Sequence, residues 1–306
     1  MSNLTVIVCT HNRALFLDQC LAALAAQDAD RSSYGVLVVD NASSDQTKSV
    51  FEKHAAANPG LFSYHFESKL GLAAARNSGL ALIDTPLVAY TDDDAVPYPT
   101  WVDKIQKRFE QLPEDVVLLG GEIEPIWEIH RPAWLSDEML RPLSARLGWA
   151  DHARLLRARE WVCEVNCCYR SKPLREYGGF PEALGRKGDL LLSGENYVNE
   201  QMSADGLRVY YDPEILVKHF IPKSRISKSW LLRRSFWQGI TGAVCAEFDR
   251  ENGRVPEHWQ NVRLPSSSRD WLALLEPGEL EPIEYGCELA MNIGYVLGVK
   301  NLVIGR

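Results

Sequence analysis

The segment Thr91-Asp92-Asp93-Asp94 sets three adjacent carboxylates at the end of a short apolar run, Leu87-Val88-Ala89-Tyr90. Three ionised neighbours repel one another, so the arrangement needs a counter-charge. A divalent cation, Mn2+ or Mg2+, is the natural partner, because these ions favour a few carboxylates plus phosphate oxygens over a closed all-protein cage. In extended backbone Asp92 and Asp94 share one face and Asp93 takes the other. Two carboxylates can then serve a ligand while the third makes structural bonds. The same residues also suit a turn and helix cap ahead of Pro97-Tyr98-Pro99.

Two other places carry suitable chemistry. Asp40 closes the run Val36-Leu37-Val38-Val39 and opens Asn41-Ala42-Ser43-Ser44-Asp45. A strand-end carboxylate can accept a uracil N–H or ribose hydroxyls, or simply organise an Asx-turn. Gly71-Leu72-Ala73-Ala74-Ala75-Arg76-Asn77-Ser78-Gly79 is rich in small residues that allow close helix packing. Its Arg76 offers a planar fork for phosphate or carboxylate, or for a surface ion pair.

The elements that must position these groups are legible in outline. Leu4–Cys9 is a β-branched apolar run, the pattern of a strand buried on both faces. Phe16, Leu17, Cys20, Leu21 and Leu24 then recur at helical spacing. Val36–Val39 is a second buried strand, and Asp45 can cap a helix with Val50 and Phe51. Residues 71–82 form a third helix, and a strand over 87–90 ends at the triplet. A helix with Val102, Ile105 and Phe109 leads to a strand over 116–119. This alternation predicts an α/β fold with a mostly parallel sheet between helices, whose ligands bind beyond the carboxyl ends of the strands. His11-Asn12-Arg13, Asp40 and Asp92–Asp94 all fall there. Residues 122–161 read as a loop with short helices. Gly178-Gly179-Phe180-Pro181 is a turn, and Ser193 caps a helix to about Ala204. Strands follow at 207–211 and 215–217, then helices over 229–248 and 285–299.

In their order and spacing, Val8-Cys9-Thr10-His11-Asn12-Arg13, Val39–Asp45, Gly71–Gly79 and Thr91–Asp94 closely resemble the family 2 glycosyltransferases, over residues 4 to about 220. The resemblance implies a GT-A (Rossmann-like) mixed sheet flanked by helices. Residues 1–222 would form the catalytic domain, with 1–119 binding a nucleotide-sugar and 120–222 facing the acceptor. Residues 223–306 would be a mainly helical C-terminal extension. Thr10, Asn12 and Arg13 would line the nucleotide pocket, Asp40 would contact the base, usually uracil, and Arg76 and Asn77 would lie near ribose and diphosphate. Asp92 would touch the ribose or a metal water, Asp93 would belong to the same donor site in a structural role, and Asp94 would bind the metal, joined by His219. Asn166, Arg170, Gly178, Gly179 and Phe180 would shape the acceptor side. Relatives often carry Glu-Asp where this chain has Glu195-Asn196. Asn cannot take a proton at neutral pH, which leaves Glu195 as the base. A carboxylate in a helix's first turn is held acidic by the dipole, so Glu195 also suits a purely helix-stabilising role. Glu200 is a lesser stand-in.

The implied reaction inverts the anomeric centre, moving a sugar from a nucleotide-diphosphate sugar, a UDP-sugar first, to a glycan or lipid-linked acceptor in polysaccharide biosynthesis. A nucleotide-sugar-binding module without transfer activity stays open, because of Asn196. A nucleotidyltransferase is a third reading, but its usual Gly-rich loop and Lys after the first strand are replaced here by Thr10-His11-Asn12-Arg13, and the lack of G-x-G-x-x-G there argues against a dehydrogenase.

The bulk properties set limits. The 306 residues are 46% hydrophobic and 24% charged, with net charge −8, which argues against nucleic acid as a partner. Residues 215–246 contain no Asp or Glu but carry Lys218, Lys223, Arg225, Lys228, Arg233 and Arg234. That stretch suits an anionic contact, including a peripheral membrane contact through 215–246, or a helix packed within the protein or on a second subunit of a homo-oligomer. Seven cysteines in no metal or disulfide spacing suit a reducing compartment. With no leader visible and no apolar run long enough to span a bilayer, a cytoplasmic location is expected, with the inner face of the plasma membrane as the place of any peripheral contact.

Overall fold

The computed structural model describes residues 2–184, 195–252, 262–279 and 281–300. The described residues form two compact units: 2–126, 144–184 and 195–220 in one, and 127–143 with those from 221 onward in the other.

The first unit is built on a mixed sheet. Its elements begin as the sequence suggests: β1 (Leu4–Thr10), α1 (Ala14–Ala25), β2 (Tyr34–Asp40), α2 (Thr47–Ala57), β3 (Phe62–Phe66), α3 (Leu72–Ala81) and β4 (Leu87–Asp92). A short β5 (Ala95–Pro97), α4 (Trp101–Gln111) and β6 (Val116–Trp127) follow. Then come β7 (Arg154–Leu155), β8 (Cys167–Arg170), α5 (Ser171–Glu176), α6 (Glu195–Ala204) and β9 (Arg208–Ile221). The strand order is β3-β2-β1-β4-β8-β6-β9-β5, with β7 beside β9. β3, β2, β1 and β4 are mutually parallel, whereas β8 runs antiparallel to both β4 and β6.

Period-two alternation divides the central strands between two cores. Leu4, Val6, Val8, Val36 and Val38 face α1 and α4, meeting Leu17, Leu21, Leu24, Trp101, Ile105 and Phe109. Ile7, Leu37 and Val39 face α3, and the same core includes Leu174 of α5 and Val198 and Met202 of α6. Each of these fully buried aliphatic side chains contributes roughly 1.5–3 kcal/mol. Burial on both faces explains why β1 and β2 read as continuous apolar runs.

Three strand expectations change. β3 has no fully buried residue and sits at the sheet edge, so it left no apolar run to read. The region after residue 119 continues as β6 to Trp127 before the irregular chain begins. The two short strands expected at 207–217 are one strand, β9. Its midpoint Asp212-Pro213-Glu214 resembles a turn because Asp212 Oδ1 accepts the Glu214 N–H at 3.0 Å. Arg108 holds the other oxygen at 2.7–2.8 Å.

The second unit is helical: α7 (Lys228–Glu251), α8 (Ser268–Leu275) and α9 (Ile283–Val299). α7 and α9 approach at backbone distance. A Cβ on Gly239 would lie 1.9 Å from the Met291 carbonyl, and one on Gly294 would lie 2.0 Å from that of Phe236. α8, which the sequence does not announce, begins with a capping box between Ser267 and Asp270. Among the described residues, no helix is long and apolar enough to cross a membrane.

Candidate active site

The site lies at the carboxyl end of the parallel strands, where β4 turns into β5. Asp92 is the last residue of β4, and Asp93 and Asp94 form the two-residue turn before Ala95. The turn replaces the extended geometry expected from the sequence, and the three carboxylates differ in exposure. Asp93 and Asp94 are 3% and 4% exposed, while the Asp92 side chain is 37% exposed.

Arg13 is the counter-charge. Its Nη1 lies 2.8 Å from Asp93 Oδ1 and its Nη2 2.5 Å from Asp94 Oδ2, and its guanidinium stacks 4.8 Å from the Phe16 ring centre. Thr10 Oγ1 donates to Asp93 Oδ2 at 2.8 Å. Arg76, 4% exposed, reaches Asp92 Oδ1 at 3.5 Å. The three carboxylates thus meet two guanidinium groups, with His219 facing Asp94 as well. Burial pushes the Asp93 carboxyl up, to about 7, against the pull of Arg13. Burial also opposes ionisation of Asp94, but His219 and Arg13 more than offset it and hold that carboxyl well below the usual carboxylate range.

His219 arrives from β9, which pairs with β5 so that Ala95 lies opposite His219. The Phe220 N–H donates to the Asp94 carbonyl at 3.0 Å. The ring is 2% exposed, and its Nδ1 donates to the Ser144 carbonyl at 2.8 Å. Ser144 has a positive φ of 53°, a conformation that non-glycine residues rarely adopt. With Nδ1 so engaged, Nε2 points at Asp94 Oδ1, 3.4 Å away. That oxygen is buried and meets no hydrogen-bond donor. A proton on Nε2, or a cation between the two atoms, satisfies the pair. Asp92, Asp94 and His219 each offer a ligand atom, all within 4.8 Å of one another. Two carboxylate oxygens and one imidazole nitrogen form a donor set that could hold a divalent cation.

The remaining residues fall into place unevenly. Asp40 is 2% exposed. Its Oδ1 accepts the Ser43 N–H at 2.8 Å and its Oδ2 the Tyr64 hydroxyl at 2.6 Å, so the carboxylate organises its loop whatever else it touches. Tyr64 sits on β3, the strand the sequence left unread. Asn12, with φ of 53°, accepts the Ser44 N–H at 2.7 Å, tying the β1 and β2 loops together. Asn77 is engaged at both ends of its amide by the Phe180 backbone. Asn166 donates to the Glu122 and Ile215 carbonyls and accepts from the Trp101 indole. Arg170 donates to the carbonyls of Leu112 and Val116. α6 begins at Glu195, whose side chain lies outside the described residues, as does Ser193. Asn196 follows part-buried, and Glu200 is exposed. Two contributors had no local signal in the sequence: the Ser144 carbonyl and the ion pairs of Arg13, both of which depend on chain segments far apart in sequence.

Residues 5–126 match the model of Glycosyl transferase family 2. Over 57% of this chain and 55% of the relative, the sequence is 29% identical to the glucosyl-dolichyl phosphate glucuronosyltransferase of Haloferax volcanii. It is 26% identical to the pre-mycofactocin glycosyltransferase of Mycobacterium tuberculosis over 79% of this chain and 47% of that one. The chain thus spans about half the length of these curated relatives. Among solved structures, the mannosyltransferase PcManGT of Pyrobaculum calidifontis, in complex with GDP-Man and Mn2+, superimposes with a TM-score of 0.60 at 20% identity, covering 99% of this chain and 88% of that one. TarS of S. aureus in complex with UDP-GlcNAc gives 0.57 at 15% identity, covering 100% and 93%. The family match covers residues 5–126, and the fold agrees with that of GT-A glycosyltransferase structures.

Proposed function

We propose that this protein moves a sugar from a nucleotide-diphosphate sugar to an acceptor hydroxyl, with inversion, and that a divalent cation sits on Asp92, Asp94 and His219. The observation that carries the reading is the buried Asp94 Oδ1, which meets no donor and faces a histidine nitrogen oriented from behind, on a sheet of this family.

A cation on Asp92, Asp94 and His219 would supply charge neutralisation for the departing diphosphate. The protein's own residues do the rest. Arg13 and Thr10 hold the Asp93–Asp94 turn rigid, so the ligand oxygens are in place before donor binds. Arg76 adds positive charge beside Asp92. Asp40 and the Asn12 loop border the nucleotide. Glu195 takes the proton of the acceptor hydroxyl as it attacks the anomeric carbon, through a transition state of oxocarbenium character. A UDP-sugar is the first donor class to test, with a GDP-sugar second, since solved relatives hold one or the other. The H. volcanii relative's name contains a dolichyl phosphate sugar, which supports a lipid-linked glycan as acceptor and gives a peripheral membrane contact through 215–246 a purpose.

The test is release of nucleoside diphosphate from a panel of nucleotide-sugars, with Mn2+ or with chelator. Metal-dependent release by the wild type and a loss of about 100-fold in Glu195→Gln are expected, the scale of a missing general base. Tight donor binding without turnover in the wild type would overturn the enzymatic reading.

A further inference from the structure

Asn77 sits beside Arg76 on α3, and both ends of its amide are engaged by backbone. Its Nδ2 donates to the Phe180 carbonyl at 2.8 Å, and its Oδ1 accepts the Phe180 N–H at 2.8 Å. One side chain thus completes both hydrogen bonds of one residue, as a neighbouring strand would. The approach is close. Gly179 has φ of 73°, and a Cβ there would lie 2.5 Å from Asn77 Oδ1. Gly178, with φ of 79°, begins the same turn. The Gly178-Gly179 pair therefore lets α5 end and deliver Phe180 to Asn77.

What the clamp holds is the floor beneath Arg76. The Phe180 ring is 2% exposed and meets Tyr90 edge-on at 5.2 Å between centres. The Arg76 guanidinium lies 5.5 Å from the Phe180 ring centre and 6.0 Å from that of Tyr90. From this aromatic seat it reaches Asp92, one of the three candidate ligands, at 3.5 Å. The link runs from the amide through Phe180 to Arg76 and then to Asp92.

We propose that Asn77 is a positioning residue: by clamping the Phe180 backbone it seats Arg76 against Asp92 and so sets how Asp92 is offered to the cation and diphosphate. This rests on the reading of Asp92, Asp94 and His219 as the metal site. It assigns Asn77 no direct contact with the donor.

Titration calorimetry with UDP and GDP, each with Mn2+ or with chelator, tests the proposal beside steady-state nucleoside diphosphate release. Asn77→Ala is expected to weaken nucleoside diphosphate binding in Mn2+ by about tenfold, the lower end for partners behind a metal ligand. The Mn2+ needed for half-maximal release should rise in parallel. Binding in chelator should be unchanged. Phe180→Leu keeps the backbone clamp but removes the ring, and should reproduce the metal-dependent defect; a folded protein by circular dichroism is required of both. Equal weakening with and without Mn2+ would make Asn77 a donor ligand and overturn the proposal, as would wild-type behaviour of Asn77→Ala. If wild-type binding and release were themselves indifferent to Mn2+, the metal-site reading would fail first.

Discussion

Asp94 and Asp270 are both buried carboxylates held below the usual carboxylate range, one in the sheet unit and one in the helical unit, yet their surroundings differ in kind. Asp270 is saturated. Its Oδ2 accepts the Ser266 and Ser267 N–H groups at 2.8 and 3.1 Å, and its Oδ1 accepts from the Tyr285 hydroxyl at 2.5 Å and Arg263 at 3.1 Å. Neutral dipoles supply most of that stabilisation, chiefly the Ser266 N–H. Asp94 has a guanidinium on one oxygen and only a histidine at 3.4 Å from the other. A buried acceptor left unmet is costly unless a proton on the facing histidine or a cation meets it. Asp270 has its lone pairs filled by the protein, and Asp94 does not.

Four variants and conditions break or sharpen that contrast. Asp94→Ala should lower metal-dependent turnover by about 1000-fold, some 4 kcal/mol of barrier at 1.4 kcal/mol per factor of ten. Its melting temperature without metal should stay within about 3 °C of wild type, because Arg13 keeps Asp93 as a partner; a collapse of the fold instead would make Asp94 structural. His219→Ala should cost about 10- to 100-fold in Mn2+ affinity, read by the Mn2+ dependence of nucleoside diphosphate release. Asp270→Ala should do the reverse of Asp94→Ala. The α8 cap and the Tyr285 and Arg263 contacts are lost, and the melting temperature should fall by about 5 °C or more, while turnover per folded molecule holds.

The smallest effect is one of pH. The folded-state pKa of Asp270 lies below its unfolded value of about 3.9. Its stabilising contribution is therefore complete above that value and is lost as pH falls through and below it. Denaturant midpoints of the wild type should drop between pH 5 and 3, and part of that drop should vanish in Asp270→Asn. An unchanged slope in the variant would remove Asp270 as a source of the acid sensitivity.

The sheet's parallel half was the legible half. β1, β2 and β4 are buried on both faces, so apolar composition alone marks them, and each ends at a residue of the site: Thr10, Asp40 and Asp92. The antiparallel half was not. β8 has four residues and β5 three, too short to carry a period, and they exist because β4 and β9 accept them as partners. α8 was missed because Trp271, Leu272 and Leu275 remain exposed, which hides its apolar stripe.

The sequence alone determined the order of the first strands and helices and the carboxylate triplet, since local apolar runs and strand-end polar residues need no distant partner to be read. Only the tertiary structure decided how the triplet's charge is shared. Arg13 couples to Asp93 and Asp94 across more than seventy residues, and the Ser144 carbonyl orients His219 from another segment again. Such pairings are set by register and by the direction of a turn. A two-residue turn, rather than an extended strand, brings Asp92 and Asp94 together at His219, because β5 must reverse to pair with β9.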